Sequence, residues 1–546
     1  MLLAAQNSGH SLGASRHPAT LLAIPSEESL WENLRPYRPD PDPPLSYHEN
    51  VPGFYVENFG CRATQADGAA IEQQFRARGI AHAASPENAE FVILNTCTVT
   101  ASADQDARAA IRRIRRQNPG CEIVVTGCYA QRAPGEVGAL PGVSRVIGNS
   151  HKHRLAEIAL SADSRPESLS AFVPLASLGA EPHMLTAISL AEPDRFFVSD
   201  IFAHTELLAA PVFGNGELDL HARTRPNLKV QDGCDNRCSF CIIPSVRGHS
   251  RSLPMERVLT EVNALVAAGY REVVISGINL GRWGRDLPVA GGRHPAARFE
   301  SLVRAILSET NLEKLRLSSI EPMDWSDELI ALVAGSPRIA RHAHVPMQSG
   351  SDAVLRRMHR KYRPWHYREK IEKIRDAMPT AAIGADVMVG FPGESDADFE
   401  ETRRLVDDLP FTYLHVFTYS SRPGTPSAAM RDQVPVHLAR ERNRILRDLI
   451  AEKKLAFMHS FVGKTLEAIS LNTTMLSGAG RGDSAKRAQA AAGKPAVSEH
   501  HSGENFTEAL TDNYLKLSLR GTHQPNRWLK AQILQVQDSI LIGAGI

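Results

Sequence analysis

The stretch GCDNRCSFCIIP, Gly233 to Pro244, gathers three of the chain's seven cysteines into eight residues, with no fourth cysteine nearby. Thiolates take zinc and iron–sulfur clusters about equally readily, but a structural zinc site normally closes with four protein ligands. The nearest spare donor is His249, eight residues past Cys241. Cys234, Cys238 and Cys241, spaced C-x3-C-x2-C, therefore predict a 4Fe–4S cubane whose fourth iron is left to a small molecule. A zinc knuckle closed by His249 or by a distant cysteine is the competing reading.

Working outward, 546 residues exceed what one core sustains, so about three domains are expected. Charged residues at 23%, hydrophobic ones at 42% and a net charge of +1 describe an ordinary globular chain without a polybasic coat. Any RNA contact must then come from local patches such as Arg108–Arg116, Arg356–Lys370 or Arg440–Lys454, each of which could equally be a solvated helix face. No apolar run approaches the roughly 20 residues a bilayer requires, and no basic segment precedes the apolar start, so no membrane and no signal peptide are expected. Seven cysteines, odd in number and sparse, do not make a disulfide framework and fit a reducing cytoplasm.

Residues 1–50 read as a disordered extension. Over 51–165 short apolar runs, FYVENFG, FVILNT and CEIVVTG, alternate with helical patterns, which predicts a doubly wound parallel sheet with right-handed crossovers. All strands of such a sheet end at one edge, where ligands gather. Three runs end directly in Cys61, Cys97 and Cys128, so a second three-thiolate site is expected, against the alternative of three buried small residues. Cys121 starts the third strand, roughly 23 Å from Cys128 at about 3.3 Å per residue, and is excluded as a ligand.

Residues 166–225 lose clear rhythm, apart from an expected strand or strand pair near ISLAEPDRFFVSD, and read as a connector. From 226 to 458 six βα units predict an open, partial (β/α)6 barrel. Chemistry in such sheets collects at the strand C-termini, where Gly277, Asn279, Ser318, Glu321, Gln348, Ser349, Tyr419 and Ser420 fall. From 459 to 546 short β runs predict a small antiparallel β-barrel of the kind that grips RNA, interrupted by a disordered low-complexity insertion at about 472–503.

The contexts NFGC, NTCTVT and VVTGCYAQ, followed by KVQDGCDNRCSFCIIPSVRGHSRS, GINLGRWGRDL, HVPMQSGSDAVLRRM and GFPGE, together resemble the methylthiotransferase family of radical S-adenosylmethionine (SAM) enzymes over about Phe54 to Met430. The barrel at the C-terminus more weakly resembles the RNA-binding TRAM domain. NTCTVT, TGCYAQ and GINLG are most similar to the branch that methylthiolates N6-threonylcarbamoyladenosine beside the tRNA anticodon. Branches acting on N6-isopentenyladenosine in tRNA, or on an aspartate of a ribosomal protein, are the near alternatives. The family's first motif usually reads T-x-G-C-x-x-N, whereas Asn58 and Thr64 hold its outer places here.

The resemblance implies two 4Fe–4S clusters. The cluster on catalytic Cys234, Cys238 and Cys241 would reduce SAM and release a 5′-deoxyadenosyl radical. The other, on Cys61, Cys97 and Cys128, would hold the sulfur to be inserted, and a second SAM would methylate it. Such chemistry is needed because no acid, base or nucleophile among side chains breaks an adenine C2–H bond. Gly277 and Asn279 are expected to present backbone to SAM, Glu321 to bind its ribose or amino group, and Phe240 to pack over cluster or adenine, with Ser318 and Gln348 as further cofactor-binding candidates. Expected partners are the tRNA anticodon stem-loop and a low-potential donor such as flavodoxin or ferredoxin, with the chain a monomer. Arg356–Lys370, with Tyr362, Trp365 and Tyr367 interleaved, is a candidate tRNA contact. A non-catalytic, zinc-stabilised RNA-binding protein is the reading from another class. Methylation without sulfur insertion is disfavoured, because it would leave the second trio unused.

Overall fold

The computed structural model describes residues 53–161, 195–204, 207, 224–288, 297–472 and 505–546. The expected extension, most of the connector and nearly all of the low-complexity insertion lie outside the described residues. Strands β1 (Gly53–Asn58), β2 (Ala81–His82), β3 (Phe91–Thr96), β4 (Glu122–Gly127), β5 (Val143–Gly148) and β6 (Phe196–Phe197) form one parallel sheet in the order β2-β1-β3-β4-β5-β6. Alternation along β3 sends Val92 and Leu94 into one core with Ala107, Ile111 and Ile114 of helix Ala101–Gln117, and Phe91 and Ile93 into another with Ile71 and Phe75 of helix Arg62–Arg76. Both faces are covered, so the sheet is doubly wound. The strand order reverses between β1 and β3, which places the crevice of the sheet at the ends that lead into Cys61 and Cys97.

The central region carries β7 (Asn227–Asp232), β8 (Arg251–Ser252), β9 (Glu272–Gly277), β10 (Lys314–Leu317), β11 (His342–His344), β12 (Ala382–Val389) and β13 (Tyr413–Thr418). Six of these run parallel in the spatial order β7, β9, β10, β11, β12, β13. The Leu315–Ile339 bridge joins the two half-sheets, and short β8 pairs antiparallel with β7. This is the open (β/α)6 barrel that the six units predict. Its outer face packs on helices whose first turns are fixed by Ser326, accepting from the Leu329 N–H, and by the Ser395–Asp398 capping box. Trp283 and Trp325 are fully buried in the same core, each stabilising by about 1.5–3 kcal/mol or more through the area removed from water.

Helix Val436–His459 leads into β14 (Thr465–Ser470), β15 (Phe506–Thr511), β16 (Lys516–Arg520), β17 (Trp528–Gln537) and β18 (Ile540–Gly545), a closed barrel in the order β14-β15-β16-β18-β17. It departs from the expected antiparallel pattern at one seam, where β16 and β18 run parallel. An odd number of strands cannot close with every neighbour antiparallel. The barrel docks at the N-terminal ends of the half-barrel strands, with the Asn513 amide donating to the Thr380 carbonyl (3.1 Å) and Arg316 to the Asp512 carbonyl (3.0 Å). The opposite, C-terminal ends of those strands remain for the cysteine loops.

Candidate active site

Strand β7 ends in Gly233, whose φ of +71° and lack of Cβ let the chain turn against the His249 carbonyl, where any side chain would collide. The loop that follows is held by the Cys234 N–H donating to the Gly248 carbonyl (3.1 Å) and the Ser239 hydroxyl to the Arg357 carbonyl (2.7 Å). Cys234, Cys238 and Cys241 come out partly exposed. Polar N–H groups aim at their sulfurs: the Asn236 N–H (3.4 Å) and the Asn279 amide (3.7 Å) at Cys234, and the Arg360 guanidinium (3.1 Å) at Cys238. Burial, followed by the neighbouring Cys238 and Cys234, pushes the Cys241 thiol up to about 12. Burial also raises Cys234, and a bound cation would compensate the anionic form that burial opposes at both thiols.

The other cofactor-binding candidates surround this loop. Gln231 knots it to the end of β9, accepting from the Asn279 N–H (2.7 Å) and donating to the carbonyls of Asp232 and Gly233. Gly277 lies against the Gln231 side chain, where an added Cβ would sit 2.8 Å from its Oε1. Asn279 lines a cavity of about 250 Å³ with Asn236, Arg282 and Lys361, and Glu321 lines the adjoining hollow beside Cys238. Glu321 is paired with Arg360, which spans the carboxylate and the Cys238 sulfur while lying 5.0 Å over the Tyr362 ring. Ser318 is buried at the end of β10. Gln348 adopts φ +64° and donates its N–H to the Asp386 carbonyl (2.8 Å). Phe240 meets Phe391 edge-on at 6.4 Å and packs against the central core.

The second trio assembles from three strand ends. Cys61 precedes helix Arg62–Arg76, Cys97 follows β3, and Cys128 opens the helix after β4. Gly60, with φ +101°, brings the first loop so close to Cys97 that a Cβ would lie 2.6 Å from the Cys97 Cβ and 2.9 Å from its sulfur. Burial, then the charge of Cys128, and more weakly that of Cys61, push the Cys97 thiol up to about 12. Cys121 lies at the far end of β4, its thiol donating to the Asn118 carbonyl (3.2 Å). At the position where the family motif departs, the Thr64 hydroxyl stands 3.5 Å from the Cys61 sulfur, and Asn58 accepts from Asn95 (2.9 Å).

The two loops meet. Cys128 packs in one buried cluster with Ile242 and Val246, the former being the residue after Cys241. Asn149 crosses the same seam, donating to the Val246 carbonyl (2.7 Å) and lying 3.6 Å from the Cys128 sulfur. Beneath it, Asp67 binds Lys152 (3.0 Å), Arg247 (3.0 Å) and Lys229, while Asp232 takes Lys229 (2.8 Å) and Arg247 (2.9 Å). Burial alone would raise Asp67, but Lys152, Lys229 and Arg247 hold its carboxyl well below the usual range. A second clamp joins Arg422 to Asp104 (2.7 Å) and to the carbonyl of Thr98, next to Cys97. None of Asp67, Arg247, Arg360, Gln231 or Arg422 was singled out by sequence reasoning. Arg247 and Asp67 do lie within or beside the cysteine motifs, which was the available signal.

The basic segment Arg356–Lys370 is corrected as a base-stacking surface. Tyr362 and Tyr367 are buried with their hydroxyls donating to the Met347 and Val345 carbonyls (2.7 Å each), and Arg360 faces inward, leaving Trp365 as the exposed ring at 57%.

An open half-barrel with a three-cysteine loop after its first strand defines the radical SAM class, and the family described as the Radical SAM superfamily matches residues 228–406. The uncharacterized protein family UPF0004 matches 53–148, the sheet that carries the second trio. The threonylcarbamoyladenosine tRNA methylthiotransferase MtaB of Bacillus subtilis is 33% identical over 87% of this chain and 92% of its own. MtaB of Rickettsia prowazekii is 34% identical over 77% and 88%, and the tRNA-2-methylthio-N(6)-dimethylallyladenosine synthase of Novosphingobium aromaticivorans 32% over 76% and 86%. The chain belongs to the radical SAM methylthiotransferase family. Membership implies SAM and a 4Fe–4S cluster. Among the described residues no helix is long and apolar enough to cross a membrane.

Proposed function

We propose that this protein methylthiolates C2 of N6-threonylcarbamoyladenosine at position 37 of tRNA, with Cys234, Cys238 and Cys241 holding one 4Fe–4S cluster and Cys61, Cys97 and Cys128 a second. The observation that carries this reading is the packing of Cys128 on Ile242, which sets the two trios on either side of one buried seam. The donor sets fit the clusters: each supplies three thiols, and in each one member, Cys97 or Cys241, has its ionisation opposed by burial and by neighbouring thiols, which a bound metal would compensate. When bound, the clusters and SAM supply radical and sulfur chemistry that side chains lack.

The chain's own residues position and insulate that chemistry. Arg360 fixes Cys238 relative to Glu321, Asn279 and Asn236 aim N–H groups at Cys234, and Ile242 and Val246 keep water out of the seam. Arg247 stays charged: burial opposes this, but Asp232, Cys128, Asp67 and Cys61 together outweigh it. The threonylcarbamoyl branch is supported by the names of the relatives at 33–34% identity. Nucleoside mass spectrometry of tRNA from a deletion strain tests it. Loss of the methylthio-threonylcarbamoyl nucleoside alone is expected, whereas loss of the methylthio-isopentenyl one instead would assign the chain to the other branch.

A further inference from the structure

The lumen of the half-barrel contains a group of donors that neither cysteine trio uses. Alternation along β11, β12 and β13 turns Ala343, Ala385 and Val416 toward the outer core and leaves His344, Asp386 and His415 on the inner face. Asp386 pairs in register with His415, and His344 with Gly384 two residues earlier, so three adjacent strands deliver donors at nearly one level. One ligand atom from each, two imidazole nitrogens and a carboxylate oxygen, all lie within 4.8 Å of one another.

His344 carries the argument. It is only 6% exposed, its Nδ1 lies 2.7 Å from the Ser319 hydroxyl, and its Nε2 has no hydrogen-bond partner. A buried polar atom left unpaired costs about 1–3 kcal/mol, and here that atom points at the group, 3.4 Å from Asp386 Oδ1. With Nδ1–H donated to Ser319, Nε2 keeps its lone pair directed inward, which is how the outer partner of a metal-bound histidine fixes its tautomer. His415 is itself exposed on the lumen side, so further coordination positions face the lumen.

We propose that His344, Asp386 and His415 bind one divalent first-row transition ion, of the zinc or iron(II) class, inside the half-barrel. Two imidazoles with one carboxylate suit those ions, whereas magnesium and calcium favour oxygen alone. The site is independent of the tRNA branch assigned above.

The test uses full-length protein with its cysteines occupied by iron, dialysed to equilibrium against zinc, with zinc and iron per chain counted by plasma mass spectrometry. Wild type should retain one zinc beyond its iron, and His415→Gln and Asp386→Asn should each weaken that binding by at least ~10-fold at unchanged iron content. Because His415 is exposed, His415→Gln should melt like wild type, which separates lost ligation from lost folding. Zinc held equally by wild type and both variants, or no zinc retained by wild type, would overturn the site and leave His344 and Asp386 as an imidazole–carboxylate contact at 3.4 Å and no more.

Discussion

Arg360 reaches Cys238 with one guanidinium nitrogen and Glu321 with the other, so a single buried side chain fixes the Cys234–Cys241 loop against the end of β10. Arg360→Met removes both contacts and strands Glu321 without its cation. We expect 5′-deoxyadenosine formation to fall at least ~10-fold while the other trio keeps its iron. Cys238→Ser should abolish that product outright. Gly60→Ala forces a Cβ onto Cys97 at a positive φ, and iron should drop from about eight toward about four per chain, measured colorimetrically. Cys121→Ala, by contrast, should cost about 1 kcal/mol of stability and no iron, because its thiol faces Asn118 at the far end of β4. The six thiols could be read from spacing and strand-end position. Arg360 could not, since its segment reads as a basic surface and only tertiary packing turns it inward.

Helix Arg62–Arg76 contributes more than a cap for Cys61, because its Asp67 is the anion on which Lys152, Lys229 and Arg247 converge from three other elements. Asp67→Asn leaves these buried cations short of a counter-charge and should destabilise the protein by about 3–5 kcal/mol in a denaturant melt. The folded carboxyl is held below its unfolded value, so its contribution is complete at neutral pH and is lost only as pH falls below about 4. The Asn variant should lose that part of the acid sensitivity. At this scale the long helices were legible: Ala101–Gln117, Met255–Ala267 and Phe299–Glu309 follow from apolar spacing. The two-residue strands β2 and β8 carry no period of their own and exist only because a neighbour pairs with them, whereas β6 falls in the stretch ISLAEPDRFFVSD where a strand is expected. In helix Val436–His459 the basic run reads as a solvated helix face, but Arg442 is buried against Glu394 and Asp396 beside Leu446 and Ile450.

The whole molecule brings a sheet edge and a half-barrel edge together at the seam of Cys128, Ile242 and Val246, the place where the proposed reaction would have to couple its two cysteine trios. Val246→Asp buries a charge in that seam. We expect both sets of iron to persist and deoxyadenosine to form, while methylthio product falls at least ~10-fold relative to it; equal loss of both would mean that the seam does not couple them. The sequence by itself determined three β-containing regions and marked two cysteine trios as candidate sites, since hydrophobic period and cysteine spacing are local properties of the chain. It also placed Cys121 apart, because strand length is set by residue count. Only the tertiary structure decided that the two sites face each other, which charges lie beneath them, and that three lumen strands bring His344, Asp386 and His415 to one level. Those contacts join residues far apart along the chain, and no local preference encodes them; they form where burial of the shared faces brings the elements together.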